Sequence, residues 1–262
     1  MPMIHADGCP INVQVEGPDR APVLMLSNSL GTDLTMWDDQ AKPLAQHFQL
    51  VRYDRRGHGK SGVPKGPYSM ERLGRDVIAI LDGLGIKTIN WCGLSMGGMV
   101  GMWLGAFAPE RIEKLILSNT SAHMADKALW NERIATVRAK GLAALADATM
   151  ERWFTKEFRE RSPQAVARMK AMILATPVEG YAACCEAVRD MDHREIVRQI
   201  TAPTLVIAGR HDPATTVENA EFIRSRIPGA ALSVIDAAHI ANVEQAQKYT
   251  ETVLDFLSPR RA

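Results

Sequence analysis

The chain has 262 residues, enough for one large α/β domain or two small ones, with 46% hydrophobic and 23% charged residues as in ordinary globular proteins. A formal net charge of +1, with no long run of either sign, provides no basic surface for nucleic acid and no cationic face for a membrane. No apolar run approaches the roughly 18 residues that cross a bilayer, and Met1-Pro-Met-Ile-His-Ala-Asp7 has neither the basic nor the apolar segment of a secretory leader.

Strand and helix signals alternate from the start. Ile11-Asn-Val-Gln-Val15 alternates apolar and polar residues, as a half-exposed strand does. Val23-Leu-Met-Leu26 predicts a buried strand that ends in the polar loop Ser27-Asn-Ser-Leu-Gly-Thr-Asp33. Phe48-Gln-Leu-Val-Arg-Tyr53 predicts another, followed by the turn-rich Asp54-Arg-Arg-Gly-His-Gly-Lys-Ser61. Leu73, Val77, Ile78 and Leu81 recur at helical spacing within 70–82. Lys87-Thr-Ile-Asn-Trp-Cys92 predicts a short buried strand, and 99–107 a buried helix closed by Pro109. Leu115-Ile-Leu117 gives a strand ending at Ser118-Asn119.

The pattern changes between 121 and 195. This stretch is poor in β-branched apolar runs and rich in Ala, Met, Arg and Glu, with breaks at Gly141, Pro163, Pro177 and Gly180. It predicts three or four helices inserted into the sheet protein. Strand logic returns with Thr204-Leu-Val-Ile-Ala208, a helix near 217–226, the strand Ala231-Leu-Ser-Val-Ile235 and a final helix over 241–257. The alternation implies a mostly parallel, doubly wound sheet of about eight strands. Residues 1–120 and 196–262 then form the core, and 121–195 a helical lid over the carboxyl edge of the strands, where ligands of such sheets bind. Cys9, Cys92, Cys184 and Cys185 lack metal-ligand spacing, and the adjacent pair is unsuited to a structural disulfide. A reducing, cytoplasmic setting without metal or cofactor is expected.

Chemistry concentrates at the strand ends. Gly93-Leu-Ser-Met-Gly97 lies between a predicted strand and a predicted helix, so Ser95 would occupy a sharp, strained turn exposed at the sheet edge. Without that context the pentapeptide is only a Gly-rich turn that contains a serine. A neutral hydroxyl attacks poorly at pH 7 and needs a base. Of the seven histidines, His5 lies near the N-terminus and His47 just before a strand, His58 is expected to bond backbone in its own turn, and His123 and His193 fall in or beside the insertion. His211 adjoins a candidate acid too closely to be its partner, which leaves His239, just past the last strand, as the base. Asp212 follows the 204–208 strand and reaches the same edge, whereas Asp236 is expected to cap a helix or turn. No carboxylate follows the preceding strand, which ends in Ser118-Asn119. The order Ser95, Asp212, His239 is that of the α/β-hydrolase fold. Two backbone N–H groups should form the oxyanion hole, from Met96 after the nucleophile and from Leu30 in the Asn28–Gly31 loop. Asn28-Ser29 also predicts an Asx turn.

Four segments together resemble the 3-oxoadipate enol-lactonases over nearly the full chain: 27–33, 54–61, Gly93-Leu-Ser-Met-Gly-Gly98 and Ala237-Ala-His-Ile-Ala-Asn-Val-Glu-Gln245. Asn28-Ser29, where most α/β-hydrolases carry His-Gly, is the particular feature. Arg189-Asp-Met-Asp192 is similar to the end of the family's lid. The resemblance implies hydrolysis of an enol-lactone bearing an acetate arm to 3-oxoadipate through an acyl-enzyme, in the β-ketoadipate pathway of aromatic catabolism. The expected partner is therefore a small carboxylate-bearing lactone, with no nucleic acid or membrane partner. Arg133 and Lys127 are candidates to bind its carboxylate, against the alternative of solvated helix charges, and Trp130 is either a pocket wall or lid core. Other uses of the same three residues remain open: a general carboxylesterase or perhydrolase, a C–C hydrolase of ring-cleavage products with a larger pocket, or a hydrolase-fold ligand sensor. A serine at position 95 disfavours a haloalkane dehalogenase, whose nucleophile is a carboxylate.

Overall fold

Met3–Ala6 (β1) and Cys9–Glu16 (β2) form a hairpin through Asp7 and Gly8, both at positive φ, the conformation an Asp-Gly hairpin turn requires. The computed structural model describes residues 3–258; Met1 and Pro2 of the N-terminal stretch considered above lie outside the described residues. The remaining strands are Val23–Ser27 (β3), Gln49–Tyr53 (β4), Ile89–Leu94 (β5), Ile112–Ser118 (β6), Thr204–Gly209 (β7) and Ala231–Ile235 (β8). They make one sheet in the order β1-β2-β4-β3-β5-β6-β7-β8, antiparallel up to β4 and parallel from there. β5 and β7 are buried at every position. Such strands have helices on both faces, which is why their sequences run apolar without alternation.

The helices are Asp38–Leu44 (α1), Met70–Gly83 (α2), Met96–Phe107 (α3), Lys127–Lys140 (α4), Ala143–Trp153 (α5), Lys156–Arg161 (α6), Pro163–Ala175 (α7), Val178–Asp190 (α8), Val217–Arg226 (α9), Ala241–Glu244 (α10) and Ala246–Leu257 (α11). Ser69 starts α2 by accepting the Arg72 N–H, and Leu73, Val77, Ile80 and Leu81 turn its apolar stripe to the sheet. Among the described residues no single helix is long and apolar enough to cross a membrane.

The region between β6 and β7 holds five α-helices rather than the expected three or four. Thr155 caps α6, so the stretch between the expected breaks at Gly141 and Pro163 is two helices, α5 and α6, rather than one. Gly180 does not break a helix; it lies inside α8. There its missing side chain lets α8 touch the 54–61 loop, because a Cβ at Gly180 would overlap the Gly57 backbone. The expected 241–257 helix is likewise interrupted, at Gln245 (φ −127°, ψ 53°). Glu244 is pulled inward at that break, its carboxylate taking the Ala238 and Thr155 N–H groups.

The chain leaves β3 toward β4 on one side and returns through α2 to β5 on the other. The strand order thus reverses at β3, and a crevice opens where the loops after β3 and β5 diverge. Register places the ends of the four central strands in line, with Ser27 beside Gly93, Leu94 beside Ser118 and Ser118 beside Ile207. The loops beginning at Asn28, Ser95, Asn119 and Arg210 therefore share one edge.

Candidate active site

Ser95 sits between β5 and α3 at φ 57°, ψ −116°, a strained conformation for a residue with a side chain. Its N–H donates to the Ser118 carbonyl (2.8 Å), and its carbonyl accepts the Thr120 hydroxyl (2.7 Å), so the end of β6 and the loop after it fix the turn from both sides. The surrounding glycines leave room for it. A Cβ at Gly93 would overlap the Gly97 carbonyl, one at Gly97 the Ser27 carbonyl, and one at Gly98 the Thr120 side chain.

His239 Nε2 lies 3.0 Å from Ser95 Oγ, and His239 Nδ1 lies 2.7 Å from Asp212 Oδ2. An ionised carboxylate only accepts, so Nδ1 carries the proton and Nε2 is free to accept from the serine hydroxyl. Asp212 Oδ2 also takes the Thr215 hydroxyl (2.7 Å) and the Asn119 side-chain amide (3.1 Å), while Oδ1 takes the Ala214 and Thr215 N–H groups. Burial pushes the Asp212 carboxyl upward, but the charge and hydrogen bond of His239 and the Thr215 donors outweigh it and hold it below the usual range. Ser95, Asp212 and His239, from the ends of β5, β7 and β8, thus meet in one buried line.

The loop after β3 runs beside this line. Among the described residues neither the Leu30 nor the Met96 N–H donates a hydrogen bond, whereas the Gly97 N–H is bound to the Asn28 carbonyl (3.1 Å). Asn28 does not form the expected Asx turn. Its amide instead spans outward, donating to the Tyr53 carbonyl (2.9 Å) and accepting the Trp37 indole N–H (3.0 Å). Those partners belong to β4 and to the 34–37 turn, so tertiary contacts displace the local one.

Above Ser95 opens a cavity of about 250 Å³ whose wall includes Leu30, Met96, Trp130, Arg133 and Arg152. Arg133 lies over the Trp130 ring (4.9 Å to its centre) and points a guanidinium nitrogen at the Tyr181 hydroxyl (3.4 Å). Arg152 donates to the Thr149 hydroxyl (3.0 Å). Among the described residues neither arginine pairs with a carboxylate. Burial, and then the charge of Arg133, lower the pKa of Arg152. Lys127 is exposed in the first turn of α4 and does not line this cavity. Arg152 carries no local sequence signal: it lies on α5, three residues after buried Thr149 and beside buried Trp153, and packing alone brings it to the cavity.

The other histidines lie elsewhere. His58 bonds its own turn through the Arg56 backbone, as expected, and also reaches beyond it: its Nε2 accepts the Gly31 N–H of the β3 loop (3.0 Å). His211 pairs with Asp236 (2.9 Å), which caps no helix because α10 begins after Ile240. His123 bridges Asp192 at the base of the insertion, and buried His193 donates its backbone N–H to Ala122.

This arrangement has relatives of known type. The profile of the α/β hydrolase fold family matches residues 22–246. The chain is 41% identical to 3-oxoadipate enol-lactonase 2 of Acinetobacter baylyi over 259 residues, covering 97% of each protein. The chain belongs to the 3-oxoadipate enol-lactonase family of α/β-hydrolases. A second enol-lactonase of that family, 3-oxoadipate enol-lactonase 1 of the same organism, is 38% identical over 97% of this chain and 95% of its own length. The crystal structure of the enol-lactonase from Burkholderia xenovorans LB400 superposes with a TM-score of 0.97 at 43% identity, covering 98% of this chain and all of that one. The expected α/β-hydrolase fold is therefore the observed one. Ser95, Asp212 and His239 lie at the carboxyl edge of its parallel sheet, the edge at which ligands of such sheets bind.

Proposed function

We propose that this chain hydrolyses 3-oxoadipate enol-lactone to 3-oxoadipate, with Ser95 as nucleophile, His239 as general base and Asp212 as the group that orients it. One observation carries the reading: the hydrogen-bonded line Ser95–His239–Asp212 opens into a small cavity whose wall holds two arginines that pair with no carboxylate among the described residues. A small anionic acyl substrate satisfies both features. A cavity of about 250 Å³ also favours it over the bulkier ring-cleavage products of a C–C hydrolase.

In this mechanism His239 Nε2 removes the Ser95 proton as Oγ attacks the lactone carbonyl. The resulting oxyanion takes the free N–H groups of Leu30 and Met96. Collapse of the tetrahedral intermediate breaks the ring C–O bond and expels an enolate, a better leaving group than an alkoxide. The imidazolium returns a proton, and the tethered enol tautomerises to the ketone. That step removes a nucleophile which would otherwise re-close the ring at high effective concentration. Water, activated by His239, then releases 3-oxoadipate. Free solvent-isotope reversal of acylation throughout turnover would overturn the tautomerisation step.

The substrate carboxylate is assigned to Arg133 and Arg152, with Trp130 as the adjoining wall. Residues 121–195 act as a lid that carries these contacts. A cytoplasmic setting suits four cysteines that are all unpaired and buried. The test is the loss of enol-lactone absorbance with wild type and with Ser95→Ala. Turnover by the wild type alone supports the proposal. A wild type that cleaves simple aryl esters but not the lactone makes this an esterase instead.

A further inference from the structure

We propose that His58 and Thr32 are positioning residues for the oxyanion hole, fixing the single peptide unit that presents the Leu30 N–H to the substrate. The inference rests on Ser95 acting as the acyl nucleophile. An oxyanion hole works because its donors already point at the place where charge develops. The Met96 N–H is fixed by the first turn of α3, but Leu30 lies in an irregular loop with no ladder or helix to orient it. Side chains must do so.

The groups on either side of the Leu30 N–H are all engaged. The Asn28 carbonyl takes the Gly97 N–H (3.1 Å) and a guanidinium nitrogen of Arg55. The Ser29 carbonyl, which shares a peptide unit with the Leu30 N–H, takes the Thr32 hydroxyl (2.9 Å). That bond both orients the unit and polarises its N–H. One residue further on, the Gly31 N–H goes to His58 Nε2 (3.0 Å). Gly31 stands at φ 78°, and its Cα faces Ile173 and Tyr181 so closely that a side chain would crowd them. The chain therefore turns sharply at Gly31, directing its N–H toward His58, while the preceding N–H stays uncommitted.

The role requires an imidazole that accepts. A neutral ring can take the Gly31 N–H at Nε2 while holding its proton on Nδ1, which faces Cys184 Sγ at 3.9 Å; a charged ring has two donors and would repel that N–H. Two features keep it neutral. Burial, and then the charge of Arg55, push the His58 pKa down to about 3. Arg55 is itself buried, pairs with no carboxylate among the described residues, and leaves Nε and Nη1 without partners. Such a cation is costly to retain. Here it holds the Asn28 carbonyl and excludes a second positive charge beside it. The loop that carries both residues is set independently of substrate. Asp54 binds Asn12 and the Leu34 and Lys60 N–H groups, and Gly57 abuts Gly180 of α8.

The experiment compares wild type, His58→Leu, His58→Gln and Thr32→Val, with Ser95→Ala as blank, on whichever acyl substrate the wild type turns over. His58→Leu lowers kcat on the order of 10- to 100-fold and leaves KM within about twofold. Affinity for an alkyl boronic acid, which adds to Ser95 and places an oxygen in the hole, falls in parallel. Affinity for the non-covalent dicarboxylate adipate does not. His58→Gln, whose Oε1 can accept the Gly31 N–H, recovers most of the loss. Thr32→Val loses about threefold or more in kcat in the same pattern. Wild-type kcat in folded His58→Leu, or a loss shared equally by adipate binding, overturns the inference. If His58→Leu does not fold, Thr32→Val decides it: a kcat loss with unchanged adipate affinity supports it, and wild-type kcat overturns it. Activity retained by Ser95→Ala would instead overturn the reading of the site itself.

Discussion

His239 Nδ1 and Asp212 Oδ2 are 2.7 Å apart, and the carboxylate that holds the imidazole is itself held by four other donors. It cannot rotate away, and the ring's tautomer is set by a group that only accepts. Asp212→Asn can keep the same shape but can present an N–H to Nδ1, which would leave the proton on Nε2, facing Ser95. We expect a folded protein with kcat lowered on the order of 10⁴-fold. Steady-state kinetics beside circular dichroism check this; a loss of only a few-fold would remove Asp212 from its proposed role.

Arg133 and Arg152 approach the cavity from different helices, α4 and α5, so each can be removed without the other. A charge-assisted hydrogen bond contributes roughly 1.5–3 kcal/mol. Arg133→Met and Arg152→Met should therefore each raise KM for the carboxylate-bearing lactone by about tenfold or more. Activity on an uncharged aryl acetate should hardly change. Equal losses on both substrates would mean that the arginines only support the wall.

Ser95, Asp212 and His239 are legible in the sequence as one cluster because each follows a run that reads as a strand, fully buried in β5 and β7 and partly so in β8, and parallel strands end on one edge. The glycines around Ser95 add a local signature that follows from steric room alone. Arg152 has no such signature. A charge in a helix has the same local sequence whether it faces water or a cavity, and only the packing of α4, α5 and α8 decides. Asn28 fails for a similar reason, since its partners are far off in sequence at Trp37 and Tyr53. Gly180 suggests a break in composition, yet serves a contact with Gly57 that no local pattern carries. β1 is legible in hindsight from Asp7-Gly8, but four residues, mostly off the core, give too little periodicity to count.

Arg56 and Asp76 form a buried ion pair that ties the 54–61 loop to α2, and Arg56 also reaches the Ala6 carbonyl at the end of β1. Removing one partner leaves the other charge buried and alone. Asp76→Ala should destabilise the fold by roughly 3–5 kcal/mol. Replacing both, as Arg56→Met with Asp76→Leu, should cost clearly less than the sum of the single changes. Urea denaturation of wild type, Arg56→Met, Asp76→Leu and the double variant measures the difference; additive single effects would show that the pair is not coupled.

Two buried histidines make stability depend on pH in a direction that can be worked out. Burial and the neighbouring Arg55 lower the His58 pKa to about 3, and burial lowers that of His193 to about 4, from the ordinary 6.5 of a histidine. Both are neutral in the folded protein at pH values where the unfolded chain has already taken up the proton. Between roughly pH 6.5 and 4 the unfolded state therefore binds more protons, and stability falls as pH falls. Each group contributes a slope of about 1.4 kcal/mol per pH unit inside that window and none above it. Buried carboxylates add terms of their own, so the informative quantity is the slope removed by substitution. His58→Gln and His193→Leu, neither of which titrates, should each reduce the dependence between pH 6 and 5 by close to one proton. Urea midpoints at pH 7, 6 and 5 supply the slopes. An unchanged slope in either variant would mean that the histidine concerned is already charged, or already exposed, in the native fold.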